Sequence, residues 1–150
     1  MNQHISVITR SQERLEDITY KVNEAVKQND AEEGICFLFL PHTTAGLMVS
    51  RSQDPNLVRD ILDQLRKLVP ADAGFRNDGG NSEAHIKASL LGQSIVIPIE
   101  DGQLALGRGQ SVFLAEFDGP RERSIMMNII PTVRIPLQEQ LSEGFRGSRF

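Results

Sequence analysis

Residues 34–46 read Gly34-Ile35-Cys36-Phe37-Leu38-Phe39-Leu40-Pro41-His42-Thr43-Thr44-Ala45-Gly46. An unbroken apolar run, Ile35 to Leu40, stands between a glycine and a proline. Such a run suits a strand buried on both faces. Cys36, the single cysteine, sits inside it; it can form no internal disulfide and reads as a buried, inert thiol. Beyond Pro41 the chain turns polar at His42-Thr43-Thr44. Strand ends that give way to irregular backbone often carry functional side chains. His42 is therefore a candidate, although a turn histidine bonded to backbone has the same signature. Gly46 to Ser50 reads as a second short strand.

Working outward, Ile5 to Thr9 reads as a strand. A helix follows with Ile18, Val22 and Val26 on one face and Asp17 or Thr19 as its cap. Asp54-Pro55 is a helix start, a capping carboxylate before a proline at the first helical position. Leu57, Val58, Ile61, Leu62, Leu65 and Leu68 then recur at helical spacing, and Pro70 stops the helix. Ala71 to Gly80 is a polar loop. A shorter helix is expected over Ser82 to Leu91, capped by Asn81 or Ser82 and closed by Gly92. Strands are expected at Ser94–Ile97, Leu104–Leu106, Ser111–Phe117 and Ser124–Ile130, with turns at Asp101-Gly102 and Asp118-Gly119-Pro120. Pro131 cannot donate to a ladder and ends the last core strand. Residues 1–131 thus read as one α+β domain, with packed, mainly antiparallel sheets and two to three helices. Residues 132–150 form an extension that reads as a docking arm or a partly disordered tail.

A chain of 150 residues suits one domain with a sizeable core. With 39% hydrophobic and 24% charged residues it is expected to be globular rather than disordered. A formal net charge of -4 argues against a nucleic-acid partner, which needs a concentrated positive field, but leaves room for a local anion site. No basic region followed by an apolar stretch opens the chain, and no run approaches the about 18 apolar residues of a membrane helix. A cytoplasmic protein without a membrane partner is expected.

Three histidines are present, His4, His42 and His85. His4 reads as a surface residue at a strand edge. His85 falls in the first turn of the helix from Ser82, where the dipole disfavours an imidazolium, so a neutral ring able to accept a proton or bind a metal is expected. Glu83 and Lys87 read as an exposed pair at four-residue spacing on the same helix. Gly79-Gly80-Asn81-Ser82, just before it, reads as a phosphate cradle or as an ordinary capped loop, and lacks the Walker spacing. Arg108, Gln110, Arg121 and Arg123 flank turns, where an arginine either clamps a phosphate or is simply a solvated charge.

In order, His42-Thr43-Thr44-Ala45-Gly46-Leu47, Asp54-Pro55, Leu68-Val69-Pro70, Gly80-Asn81 and Ala84-His85-Ile86-Lys87-Ala88-Ser89-Leu90-Leu91-Gly92 come first. Leu106-Gly107, Gln110 and Glu116-Phe117-Asp118-Gly119-Pro120-Arg121 complete the set. Together they resemble the YjbQ-like family over roughly residues 3–131. The resemblance implies a compact α+β subunit, a homotrimer, and pockets near subunit contacts with histidines able to hold a divalent metal such as zinc. It implies joining of a phosphorylated thiazole to a pyrimidine diphosphate with loss of pyrophosphate, the thiamine-phosphate-synthase-type transferase activity. On it, His42 and His85 are the catalytic and metal-binding candidates. Thr43, Thr44, Gly80, Asn81, Lys87, Gln110 and Arg121 are the candidates for holding a small anionic or phosphorylated ligand.

The chain departs from the family pattern at four places. Arg51 stands where a glutamate is usual, Asn77 where another histidine is usual, Gly79 near an acidic position, and Gly109 where a tryptophan is common. Loss of ligand-type side chains at Arg51 and Asn77 predicts weakened metal binding with anion binding retained. The alternative to an enzyme is accordingly a non-catalytic trimeric protein that binds an anionic metabolite beside a degenerate metal site.

Overall fold

The computed structural model describes residues 2–51 and 54–133. The elements run β1 (Asn2–Ile8), β2 (Arg14–Asp17), α1 (Thr19–Gln28), β3 (Gly34–Phe39), β4 (Ala45–Arg51) and α2 (Pro55–Leu68). Then follow α3 (Ser82–Leu91), β5 (Ser94–Glu100), β6 (Gln103–Leu104), β7 (Gln110–Glu116) and β8 (Glu122–Pro131). A five-stranded sheet has the order β1-β8-β3-β5-β6, and a three-stranded sheet has β2-β7-β4. Every pairing is antiparallel. The α+β class expected from the sequence is what forms.

The main core lies where alternate residues of the two sheets meet α1. Cys36, Leu38, Ile97, Ile125 and Met127 come from the large sheet, Leu47, Val112 and Leu114 from the small one, and Val22, Ala25 and Val26 from α1. On the other face of the small sheet, Leu15, Phe113, Ala115 and Phe117 pack with Ala84 and Ala88 of α3 and the apolar stripe of α2. Asp54 caps α2 as expected, accepting from the Asn56 and Leu57 amides at 2.9 and 3.4 Å. Asp17 accepts from the Thr19 amide at the start of α1.

Several sequence expectations need correction. β3 is buried on one face rather than two: Cys36 and Leu38 point inward, while Ile35 and Phe39 are exposed on the outer face of the sheet. The continuous apolar run reflects a central strand whose outer face is apolar yet uncovered within one chain. β2 was not expected; its four residues carry a single inward apolar side chain, Leu15, and too little alternation to read. The Glu83–Lys87 pair is neither exposed nor paired, since both residues are buried and Lys87 reaches Glu13 instead, Nζ to Oε1 at 2.8 Å. Arg123 is not a solvated turn cation but lies in the interior. Of the extension from Thr132, Thr132 and Val133 are described, and the remainder lies outside the described residues. No helix among the described residues is long and apolar enough to cross a membrane.

Candidate functional site

Both ends of the segment that leaves β3 are tied down. The Leu40 amide donates to the Gln93 carbonyl at 2.8 Å. Thr44 Oγ1 accepts from Arg123 Nη2 at 2.8 Å, and the Thr44 carbonyl accepts from the Phe117 amide. Between these anchors His42 turns toward β8, and its Nε2 accepts from the Ser124 amide at 3.1 Å. An Nε2 that accepts carries no proton, so the neutral ring bears its hydrogen on Nδ1 and presents a donor there. Burial, followed by the nearby positive charge of Arg123, holds the His42 pKa below its ordinary 6.5.

Gly46 brings the second histidine alongside. A side chain there would meet Leu91 Cβ and the Gly92 carbonyl oxygen at 3.0 Å, tighter than ordinary van der Waals contact, so a glycine suits the close approach of α3 to β4. The result is one cavity of about 460 Å³ lined by Phe39, His42, Thr43, His85 and Ser89 among others. His42 and His85, 43 residues apart in the chain, thus share one space within a single subunit. The His85 ring has no hydrogen-bond partner among the described residues, while its carbonyl accepts from Ser89 Oγ at 2.8 Å. On its far side His85 also borders a second cavity of about 760 Å³, with Phe75, Arg76, Asn77, Ser82 and Ile86.

The other candidates fall elsewhere. Thr44 is buried as the partner of Arg123 and does not line the cavity. Asn81 occupies the N-cap of α3, where its carbonyl accepts from the Ala84 and His85 amides. Its side-chain amide donates to Asp118 Oδ2 at 3.0 Å and accepts from Asn77. Arg121 donates to the same Asp118 oxygen at 3.2 Å and to the Asp118 carbonyl. Folding therefore does bring Asn81 and Arg121 together, around a carboxylate of the chain itself. Gly80, at φ +70, supplies the turn into Asn81.

Lys87 does not join the histidines. It lies two positions from His85, about 200° around α3, and is sealed against Glu13 and the Phe117 ring. Gln110 and Arg51 pair with each other at the end of the small sheet opposite Ala45 and Glu116. That end is some 20 Å along the strands from His42 by strand rise, and there Gln110 Oε1 accepts from the Gly107 amide at 2.7 Å.

A buried pair whose partnership the sequence did not reveal, Arg123 with Glu116, lies within electrostatic reach of His42. Arg123 donates through Nε and Nη2 to both oxygens of Glu116, which is fully buried. Glu116 also accepts from Thr9 Oγ1 at 2.8 Å and from the Phe117 and Asp118 amides at 3.0 Å. Burial pushes the Glu116 pKa up, but Arg123, the amides and Thr9 outweigh it and hold the carboxyl below its ordinary range. A signal was available: Arg123, Ile125, Met127 and Ile129 recur with a period of two, which puts the arginine on the buried face of β8.

Residues 3–132 match the model of the family described as UPF0047 protein YjbQ-like. The chain belongs to the YjbQ-like family. A UPF0047 protein of Methanocaldococcus jannaschii is 43% identical over 122 residues, 81% of this chain and 88% of that protein. Among solved structures, a YjbQ/UPF0047 protein of Clostridium acetobutylicum is 42% identical, with a TM-score of 0.83 over 85% of this chain and 99% of that one. A protein of Sulfolobus solfataricus described as of unknown function is 32% identical, also with a TM-score of 0.83, over 88% of this chain and 97% of that one.

The YjbQ-like resemblance raises a divalent metal, and the donors present do not fit one. Among the described residues no three histidine, cysteine, aspartate or glutamate side chains gather. A catalytic zinc site uses about three protein ligands, and the Nε2 lone pair of His42 is committed to the Ser124 amide. Protein purified without chelator is expected to hold well under one zinc per chain by elemental analysis. A tightly held, stoichiometric ion would overturn this.

Proposed function

We propose that this YjbQ-like chain binds a small anionic, phosphorylated metabolite across the two cavities that flank His85. The observation that carries the reading is the shared space of His42 and His85, with the His42 proton directed away from Ser124 and available to an acceptor. An anionic group is favoured on the other side of His85. There Arg76 and Ser82 line the wall, and α3 begins without a side-chain cap, leaving first-turn N–H groups free for an anion. The apolar walls at Phe39, Phe75 and Ile86 suit the body of the metabolite.

Two readings share this binding step. In a transfer enzyme of thiamine-phosphate-synthase type, His85 is the proton acceptor, because its ring is uncommitted. In a non-catalytic trimeric binding protein, neither histidine takes a proton from the ligand. The bond from the Ser124 amide to His42 favours the second, since it withdraws one of two possible bases. Calorimetric titration with inorganic pyrophosphate, followed by turnover assays on the phosphorylated thiazole and pyrimidine pair, tests both. His42→Ala and His85→Ala are each expected to weaken pyrophosphate binding roughly tenfold or more, the worth of a hydrogen bond to a charged group. Unchanged affinity in both variants would remove the site. Turnover by the wild type that disappears in His85→Ala would select the enzyme.

A further inference from the structure

On the face of α3 turned away from the histidines lies a separate cavity of about 420 Å³, bordered by Glu13, Arg66, Val69, Ala71, Glu83 and Lys87. We propose that it binds a small organic cation with a short aliphatic body, an alkylammonium in class, through the carboxylate of Glu83.

The argument is one of charges left over. Lys87 Nζ pairs with Glu13 Oε1 at 2.8 Å, and Arg66 pairs with Glu13 Oε2 at 2.6 Å and Asp63 Oδ1 at 2.7 Å. Two cations and two carboxylates balance. Glu83 is the remaining charge: it is 8% exposed, and no hydrogen bond or ion pair engages it among the described residues. Every side-chain nitrogen or oxygen sealed from solvent among the described residues has a hydrogen-bond partner. The unpartnered Glu83 oxygens therefore keep some access to solvent, and the residue borders this cavity and a smaller one of about 320 Å³ beside Asp72 and Asn77. A carboxylate this enclosed and without a partner is costly. A cation entering the cavity supplies the missing partner. Val69 and Ala71 give an apolar wall to an alkyl chain, which selects an organic cation over a hydrated metal ion.

Isothermal titration of the full chain with n-butylammonium chloride tests this, with 1-butanol and sodium chloride at matched ionic strength as comparisons. Butylammonium is expected to bind and the other two are not. Glu83→Gln, which keeps the shape and removes the charge, is expected to weaken butylammonium binding at least tenfold. Glu100→Gln, at an exposed position on β5, is expected to leave it unchanged. Equal binding of butanol and butylammonium by the wild type, or no butylammonium binding, would overturn the proposal whatever the behaviour of the variants. So would full affinity in Glu83→Gln.

Discussion

Replacing Glu116 by leucine is expected to lower the free energy of unfolding by about 3–5 kcal/mol, because Arg123 is left as a buried charge without its partner. The side chains of Glu116 and Arg123 are 0% and 2% exposed, so water cannot substitute for the lost carboxylate. For a chain of this size the melting temperature should fall by roughly 6–20 °C. Arg123→Met is expected to cost a similar amount for the mirror-image reason. The pair should be strongly non-additive. Glu116→Leu/Arg123→Met removes both charges and should recover part of the loss. Recovery stays partial because the Asp118 amide loses the Glu116 acceptor and Thr44 Oγ1 loses its Arg123 donor, at about 1–3 kcal/mol for each polar group left buried and unpaired, while the Phe117 amide and the Thr9 hydroxyl keep the Thr44 and Arg121 carbonyls. Urea unfolding of the four proteins measures this. A double variant no more stable than Glu116→Leu would show that charge isolation is not the cause.

The same pair sets an acid response. The folded Glu116 carboxyl is depressed, so the unfolded chain takes up its proton first as pH falls. The contribution is complete above the ordinary glutamate value of about 4.3 and is lost as pH drops toward the folded value. Wild-type stability should decline more steeply than that of Glu116→Leu in that window.

Gly119→Ala is the second substitution with a large expected effect, about 3 kcal/mol of destabilisation at the upper end of overpacking costs. A Cβ at Gly119 would stand 2.2 Å from the Ser11 carbonyl oxygen and 2.9 Å from both Glu116 Cγ and Thr9 Oγ1. The first contact is to backbone, and no side-chain rotation relieves it. The Gly119 amide also donates to the Gln12 carbonyl at 3.0 Å, so moving the turn away breaks a second tie to the same loop. Since Asp118 of this turn accepts from the Asn81 side chain at the start of α3, the strain should reach the candidate site. Pyrophosphate affinity is therefore expected to weaken alongside stability. Denaturant unfolding within 0.5 kcal/mol of wild type, about the spread of inconsequential surface changes, would refute the clash.

Much of the fold was legible in local sequence. α2 announced itself through Asp54, Pro55 and a clean apolar stripe, and α3 through its bounds at Asn81 and Gly92. β3 was found but its burial was misread, because an apolar residue on an outer sheet face looks the same in sequence as one in a core. Lys87 was misread for the opposite reason: helical spacing offered Glu83 as its partner, and the actual partner, Glu13, is 74 residues away.

The sequence by itself determined the α+β class, most of the elements and the family, because these follow from periodicity, caps and ordered motifs that are local or collinear. It also named His42 and His85 as the residues with useful chemistry. Only the tertiary structure decided that the two share a cavity, since that depends on Gly46 letting α3 approach β4. Tertiary structure alone fixed which nitrogen of His42 carries the proton and joined Glu116 to Arg123. Among the described residues it likewise left Glu83 without a partner, beside the separate cavity on the other face of α3. Such pairings join atoms from strands and helices far apart in the chain, and a hydrogen-bond partner that distant leaves no trace in local composition or spacing.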